Sequence, residues 1–235
     1  MPDKQLAVAY DAELAAITAH VLEMGGSVES QLAQAMYALT HSSAETAQQV
    51  VAQEFKVNQM EVDIDRELSA MIARRQPTAR DLRLLISVSK AVANLERVGD
   101  EAARIARTVQ RLVDTDYAKR LRVPINDLNF EASLALGQLR QALNSFARMD
   151  TSAALEVLKH DDQIDLEFAG LLRTLITFMM EDPGAIKLSI DLVFVAKAIE
   201  RVGDHAKNLA EAVIYAVMGT DVRHTAMAQV EDIVG

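Results

Sequence analysis

The stretch NLERVGDEAARIA, Asn94 to Ala106, returns in the second half of the chain as AIERVGDHAKNLA, Ala198 to Ala210. Each copy carries Glu-Arg-Val-Gly-Asp inside an apolar pattern of three-four spacing. Leu85, Val88, Val92, Leu95, Gly99, Ala102, Ala106, Val109 and Val113 form the seam of one helix, and Val195, Ile199, Val202, Ala206, Leu209 and Val213 that of another. Glu96 and Asp100 stand four apart, one turn from each other on a single flank of the first seam. Glu200 and Asp204 hold the same flank of the second. Two such helices in one chain imply an internal repeat.

Working outward, the pattern predicts three helices, a linker and three more helices. The first spans about Asp11 to Thr40, with Gly25-Gly26 as a candidate kink. The second follows a Ser42…Glu45 capping box and runs to Arg75. The third opens with Pro77 in its first turn and Asp81 close behind, and ends near Leu112. Asp114 to Pro124 breaks the periodicity. A fourth helix from Asn126 to Arg148, a fifth capped at Asp150-Thr151-Ser152 and reaching Glu181, and a sixth started by Asp182-Pro183 and ending before Gly219 repeat the scheme. No stretch alternates with period two, so no strand is expected. Short connections make consecutive helices antiparallel neighbours. The expected architecture is all-α, two similar three-helix bundles over residues 8–117 and 122–218, with a C-terminal tail over 219–235.

Composition agrees with helices. Half of the 235 residues are apolar but only 4% are aromatic, and Gly and Pro are scarce. The absence of cysteine excludes disulfides and thiolate metal sites. A net charge of −10 argues against a nucleic-acid partner, which needs a basic stripe. No apolar run suits a signal peptide or a membrane span, so a cytoplasmic protein is expected.

The preceding helix of each half carries acids of its own. Glu61 and Asp65 follow apolar seam positions in the second helix, with Asp63 competing for the role, and Asp161 and Asp165 do so in the fifth. Antiparallel neighbours keep equivalent flanks on one side, so the pairs converge on Glu96/Asp100 and Glu200/Asp204. Converging carboxylates repel unless a cation lies among them, and their hard oxygens suit Mg, Ca, Mn or iron. A glycine within a helix costs about 1 kcal/mol relative to alanine. Gly99 and Gly203 are therefore expected to leave room beside the acids for a close helix or for an ion and its waters. The competing readings are ordinary surface ion pairs with Arg97 and Arg201, and a carboxylate-ligated metalloenzyme. The enzyme reading lacks a phosphate loop, a Glu-x-x-His pair and any Ser/His/Asp constellation. His160 and His205 adjoin the acids and could join a cation site. Arg74, Arg75, Arg80 and Arg83 surround Pro77 as a solvated helix end or an anion-binding cluster. Phe178-Met179-Met180 reads as packing at a helix end.

Arg75-Gln-Pro-Thr-Ala-Arg-Asp-Leu-Arg83, Leu95-Glu-Arg-Val-Gly-Asp100, Phe146-Ala-Arg-Met-Asp150, Met179-Met-Glu-Asp-Pro183 and Ile199-Glu-Arg-Val-Gly-Asp204 together resemble the PhoU family, from about Tyr10 to Asp221. The resemblance implies two three-helix repeats in a cytoplasmic, often dimeric, non-enzymatic protein. Such a protein negatively regulates phosphate uptake and the phosphate-starvation response. It implies two partners, the ATPase subunit of a phosphate ABC transporter and a sensor histidine kinase. It also implies bound metal, Fe, Zn, Mn or Mg, on Glu96, Asp100, Glu200, Asp204, Asp161 and Asp165, with Glu61 and Asp65 as the partner pair of the first half.

Overall fold

The computed structural model describes residues 2–113 and 124–235, with side chains from Ala12 onward. Helix α1 spans Pro2–His41, α2 Ala44–Arg75 and α3 Ala79–Val113. The second half holds α4 Ile125–Arg148, α5 Thr151–Lys159, α6 Asp161–Glu181, a 3-10 turn Pro183–Ala185, α7 Ile186–Met218 and α8 Met227–Val234. No strand occurs among the described residues. The expected linker lies outside them, apart from Pro124.

Local chemistry sets the boundaries and corrects several expectations. Gly25-Gly26 does not interrupt α1. A Cβ on Gly25 would lie 2.4 Å from Leu143 Cδ2, so this glycine admits α4 rather than a kink. The cap of α2 is shifted by one residue. Ser42 lies at φ 52°, and Ser43 Oγ accepts the Thr46 amide at 3.2 Å, with Thr46 taking the place expected of Glu45. Pro77 sits in the loop ahead of α3, which begins at Ala79. Asp150 caps α5 through the Ala153 amide at 2.9 Å, as the sequence indicates.

The expected fifth helix is two helices. His160 Nδ1 lies 2.7 Å from the Glu156 carbonyl, the acceptor its own amide would use in a continuous helix, and that amide turns to Val157 O at 3.3 Å. The ring takes the carbonyl that the amide leaves at this break.

Within each half, α2 packs on α1 and α3, and α5/α6 pack on α4 and α7. Between the halves, α3 meets α7 and α1 meets α4. Arg111–Asp191 at 3.2 Å, Arg201–Glu101 at 2.9 Å and Asn208–Asn94 at 3.0 Å descend α3 while they climb α7. Arg140–Glu29 at 2.6 Å and Thr40–Asn129 at 3.1 Å do the same for α1 and α4. Antiparallel pairing of equivalent helices is the mark of a two-fold relation, here between repeats of one chain.

All the predicted seam residues of α3 and α7 are buried except Val113, which is partly covered. The segment after Gly219 folds back. Val222 and Val230 are buried, α8 packs on α5, and Lys159 meets Glu231 at 3.1 Å.

Candidate metal centre

The register of the two bundles fixes where every acid lies. A Cβ on Gly99 would stand 3.2 Å from Val57 Cγ1 and 3.3 Å from Gln31 Oε1. One on Gly203 would stand 2.7 Å from Ile164 Cδ1 and 3.4 Å from Gln138 Oε1. The step from Val57 to Ile164 equals that from Gln31 to Gln138, so these contacts are the same contact made twice. Of the two expectations for the glycines, the close helix is the one found. The space beside them is filled by a neighbouring helix and a buried glutamine.

In the second bundle the four predicted acids share one ridge. Burial raises the proton affinity of Asp204, and the Asp161 and Asp165 charges add to it against Lys197 and Lys207. Burial likewise raises Asp165, followed by the charges of Asp161, Glu200 and Asp162. Asp161 and Asp165 come from α6, and Glu200 and Asp204 from α7. Lysines partly offset this crowding: Lys207 Nζ lies 2.5 Å from Asp161, and Lys197 Nζ 2.6 Å from Glu200.

In the first bundle Glu96 is raised by burial, then by Asp100, Glu61 and Glu54, with Arg97 opposing. Glu61 is raised by burial, then by Asp65, with Asp100 adding and Arg97 opposing. The four predicted residues are therefore neighbours here as well, with Asp65 at the exposed end. The repeat register adds a residue that the sequence reading missed. The interval from Val57 to Ile164 puts Glu54 in the place of Asp161 and Asn58 in that of Asp165, whereas Glu61 stands where the second half has Phe168. Glu54 is paired with Arg107. Aligning the helices before Glu-Arg-Val-Gly-Asp would have exposed Glu54; matching acids by their spacing alone selected the pair two turns along.

Among the described residues, no three acidic or histidine side chains form a ready-made ion cage. The donor set suits a hard cation in its chemistry, since carboxylates from two helices act on one another and have raised proton affinity. The charge of the ridges is balanced in part by Lys197, Lys207, Arg97 and Arg107. A groove of about 470 Å³ between α7 and the tail reaches Asp204 and Lys207 from solvent.

The histidines lie elsewhere. His160 serves the helix break, and His205 Nδ1 meets Asn94 Oδ1 at 3.0 Å between the bundles. Burial, with Arg201 and Arg97 nearby, lowers His205 to about 4 from 6.5. Its folded value lies below its unfolded one, so the stability this neutral ring supports is complete above pH 6.5 and is lost as pH falls toward 4. His205→Gln is expected to flatten the acid side of the melting curve by about 1–2 kcal/mol, discounted for the partial exposure of the ring. Parallel wild-type and variant profiles from pH 7 to 4 would contradict this. Of the arginine cluster, Arg74 and Arg75 pair with Glu13 at 3.5 and 2.7 Å, and Arg83 packs beneath Gly219. Phe178 packs on the core as expected, and Met180 is exposed.

Two buried polar side chains were also invisible to motif reading. Glu101 is 2% exposed and lies 3.1 Å from Arg104 and 2.9 Å from Arg201 of the other bundle. Glu131 is 1% exposed and raised to about 8 by burial, then by the Glu200 and Glu167 charges.

Comparison with known proteins agrees with this duplicated architecture. The PhoU domain matches residues 21–109 and again 130–213, one match in each bundle. The chain belongs to the PhoU family. A PhoU relative from Burkholderia sp, called a phosphate-specific transport system accessory protein PhoU homolog, is 46% identical over 97% of both chains. The Escherichia coli K12 accessory protein PhoU is 38% identical over 94% of this chain and 90% of its own. The crystal structure of PhoU from Pseudomonas aeruginosa superposes with a TM-score of 0.84 at 43% identity, covering 90% of this chain and all of that one. PhoU from Streptococcus pneumoniae, described as a phosphate transport system regulatory protein, reaches 0.83 at 26% identity, with 91% of this chain and 99% of that one covered.

Proposed function

We propose that this PhoU protein is a cytoplasmic, non-enzymatic accessory regulator of phosphate transport that restrains uptake and the starvation response when phosphate is plentiful. The observation carrying the reading is the full-length match to accessory proteins of the phosphate-specific transport system, which spans both bundles. The accessory and regulatory names of the relatives support a non-enzymatic role. No helix among the described residues is long and apolar enough to cross a membrane; in this reading the protein meets the membrane only through its partners. Those partners are the ATPase subunit of the phosphate ABC transporter and the cytoplasmic part of a sensor histidine kinase, bound by the protein as a homodimer.

In this proposal each ridge takes a hard cation, Fe, Zn, Mn or Mg, which supplies charge neutralisation between adjacent helices. Glu96 and Asp100 with Glu54, Glu61 and Asp65 hold it in the first bundle, and Asp161, Asp165, Glu200 and Asp204 in the second. The seam and the glycine contacts set the helix spacing. The carboxylates fix how far the exposed flanks can open. Immobilised protein is expected to retain both the transporter ATPase and the kinase cytoplasmic domain from defined mixtures. Retention of neither contradicts the proposal.

A further inference from the structure

One groove is made twice, between α1 and α2 in the first bundle and between α4 and α6 in the second. The interval that carries Gln31 to Gln138 brings Gly26, Ser30, Gln53 and Val57, which line the first groove, onto Ser133, Gly137, His160 and Ile164, which line the second. A glycine and a serine four apart on one helix face are kept in both. Nothing lies within 4 Å of a Cβ added at Gly26 or at Gly137. Neither glycine is needed to admit a neighbouring helix, although each weakens its own helix relative to alanine. Both leave open space in a groove.

The two grooves differ at the buried glutamine between the helices. Gln31 is fully buried, and its Nε2 donates to Val50 O at 3.1 Å. Gln138 is 6% exposed and lines a cavity of about 180 Å³, yet neither atom of its amide has a hydrogen-bond partner. The carbonyl equivalent to Val50 O is that of Val157, which faces the His160 amide at 3.3 Å beside the helix break. A buried amide without a partner is costly, and such groups are rare in folded proteins. Gln138 Oε1 is turned toward Gly203, which leaves Nε2 as the unused donor. His160 supplies an acceptor. Its Nδ1 meets the Glu156 carbonyl, which can only accept, so the neutral ring carries its proton there and keeps a lone pair on Nε2.

We propose that the cavity between α4 and α6 binds a neutral carboxamide, whose carbonyl accepts from Gln138 Nε2 and whose N–H donates to His160 Nε2. Among the described residues no Asp, Glu, Lys or Arg lines it, so the occupant is uncharged and no residue of the acidic ridges takes part. The volume is below the ~300 Å³ at which sites for drug-sized ligands begin, and suits one small amide or the end of one Asn or Gln side chain. The first bundle has no such site, because the Gln31 donor is already used.

The full chain would be titrated with acetamide, with capped dipeptides bearing Asn or Gln, and with acetate, and followed by NMR at the Gln138 side-chain amide and the Gly137 backbone amide. Acetamide is expected to shift both signals saturably and to leave the Gln31 side chain unmoved. Acetate, charged and without an N–H, should bind at least about tenfold more weakly. Gly137→Leu fills the cavity and Gln138→Met removes the donor. Each should abolish saturation, read at the Gln138 side chain in the first variant and at the Gly137 amide in the second, while the chain melts no lower than wild type. Tighter binding by the dipeptides assigns the carboxamide to a partner's side chain, and equal or weaker binding to a free small amide. Signals that stay fixed, drift linearly with acetamide, or respond equally in Gly137→Leu show that water alone fills the cavity and overturn the proposal.

Discussion

Gly203→Leu is expected to lower stability by about 3 kcal/mol, at the upper end of what overpacking usually costs. The ideal Cβ at Gly203 already lies 2.7 Å from Ile164 Cδ1 and 3.4 Å from Gln138 Oε1. A single methyl meets only the far end of a flexible isoleucine. A leucine must displace that side chain and the buried glutamine behind it, which pushes α6 off α7 and spreads the acidic ridge. Gly137 supplies the control, because nothing lies within 4 Å of a Cβ added there. Gly137→Ala should gain up to about 1 kcal/mol from helix propensity. Urea denaturation of both variants checks the pair. A neutral Gly203→Leu would show that the close approach of α6 and α7 does not hold the second bundle together.

Removing Glu101 is the second large effect. Its carboxylate is buried against α7 and joins Arg104 of its own helix to Arg201 of the other bundle. Burial raises its proton affinity, and the Arg104 and Arg201 guanidinium groups oppose that rise. Breaking a buried pair typically costs about 3–5 kcal/mol. Arg104 and Arg201 are 50% and 35% exposed and can rehydrate in part. Glu101→Ala is therefore expected to cost about 2–3 kcal/mol. Arg201→Met added to Glu101→Ala should cost little more, because the interaction is already gone. Full additivity in a double-mutant cycle would refute the pairing as a bond between bundles.

The fold was legible in the sequence because its signals are periodic and repeated. The seams of α3 and α7 needed only the three-four spacing, and the two copies of Glu-Arg-Val-Gly-Asp announced the duplication. The boundaries that escaped depend on single side chains. The expected fifth helix breaks at His160, whose ring meets the Glu156 carbonyl, and Ser43 rather than Ser42 caps α2. Neither feature changes the apolar pattern. The nearness of acids four apart on facing helices was legible, as with Asp161, Asp165, Glu200 and Asp204, which act on one another's charge. The role of the glycines stayed open, because a spacing pattern does not say whether a notch faces an ion or a valine. Glu54, Glu101 and Glu131 were missed because each has meaning only against the other repeat or the other bundle. Helix periodicity places a residue on a face but does not name what packs there.

The central claim is that the acidic ridges of both bundles hold cations. Elemental analysis of protein purified without chelator, coupled to melting before and after chelation, tests it most directly when wild type is set beside Glu96→Gln/Asp100→Asn/Glu200→Gln/Asp204→Asn. The account predicts bound metal and a melting temperature that falls on chelation in wild type, with neither seen in the quadruple variant. Metal-free wild type that melts at one temperature with or without added Mn²⁺, Fe²⁺, Zn²⁺ or Mg²⁺ would contradict it.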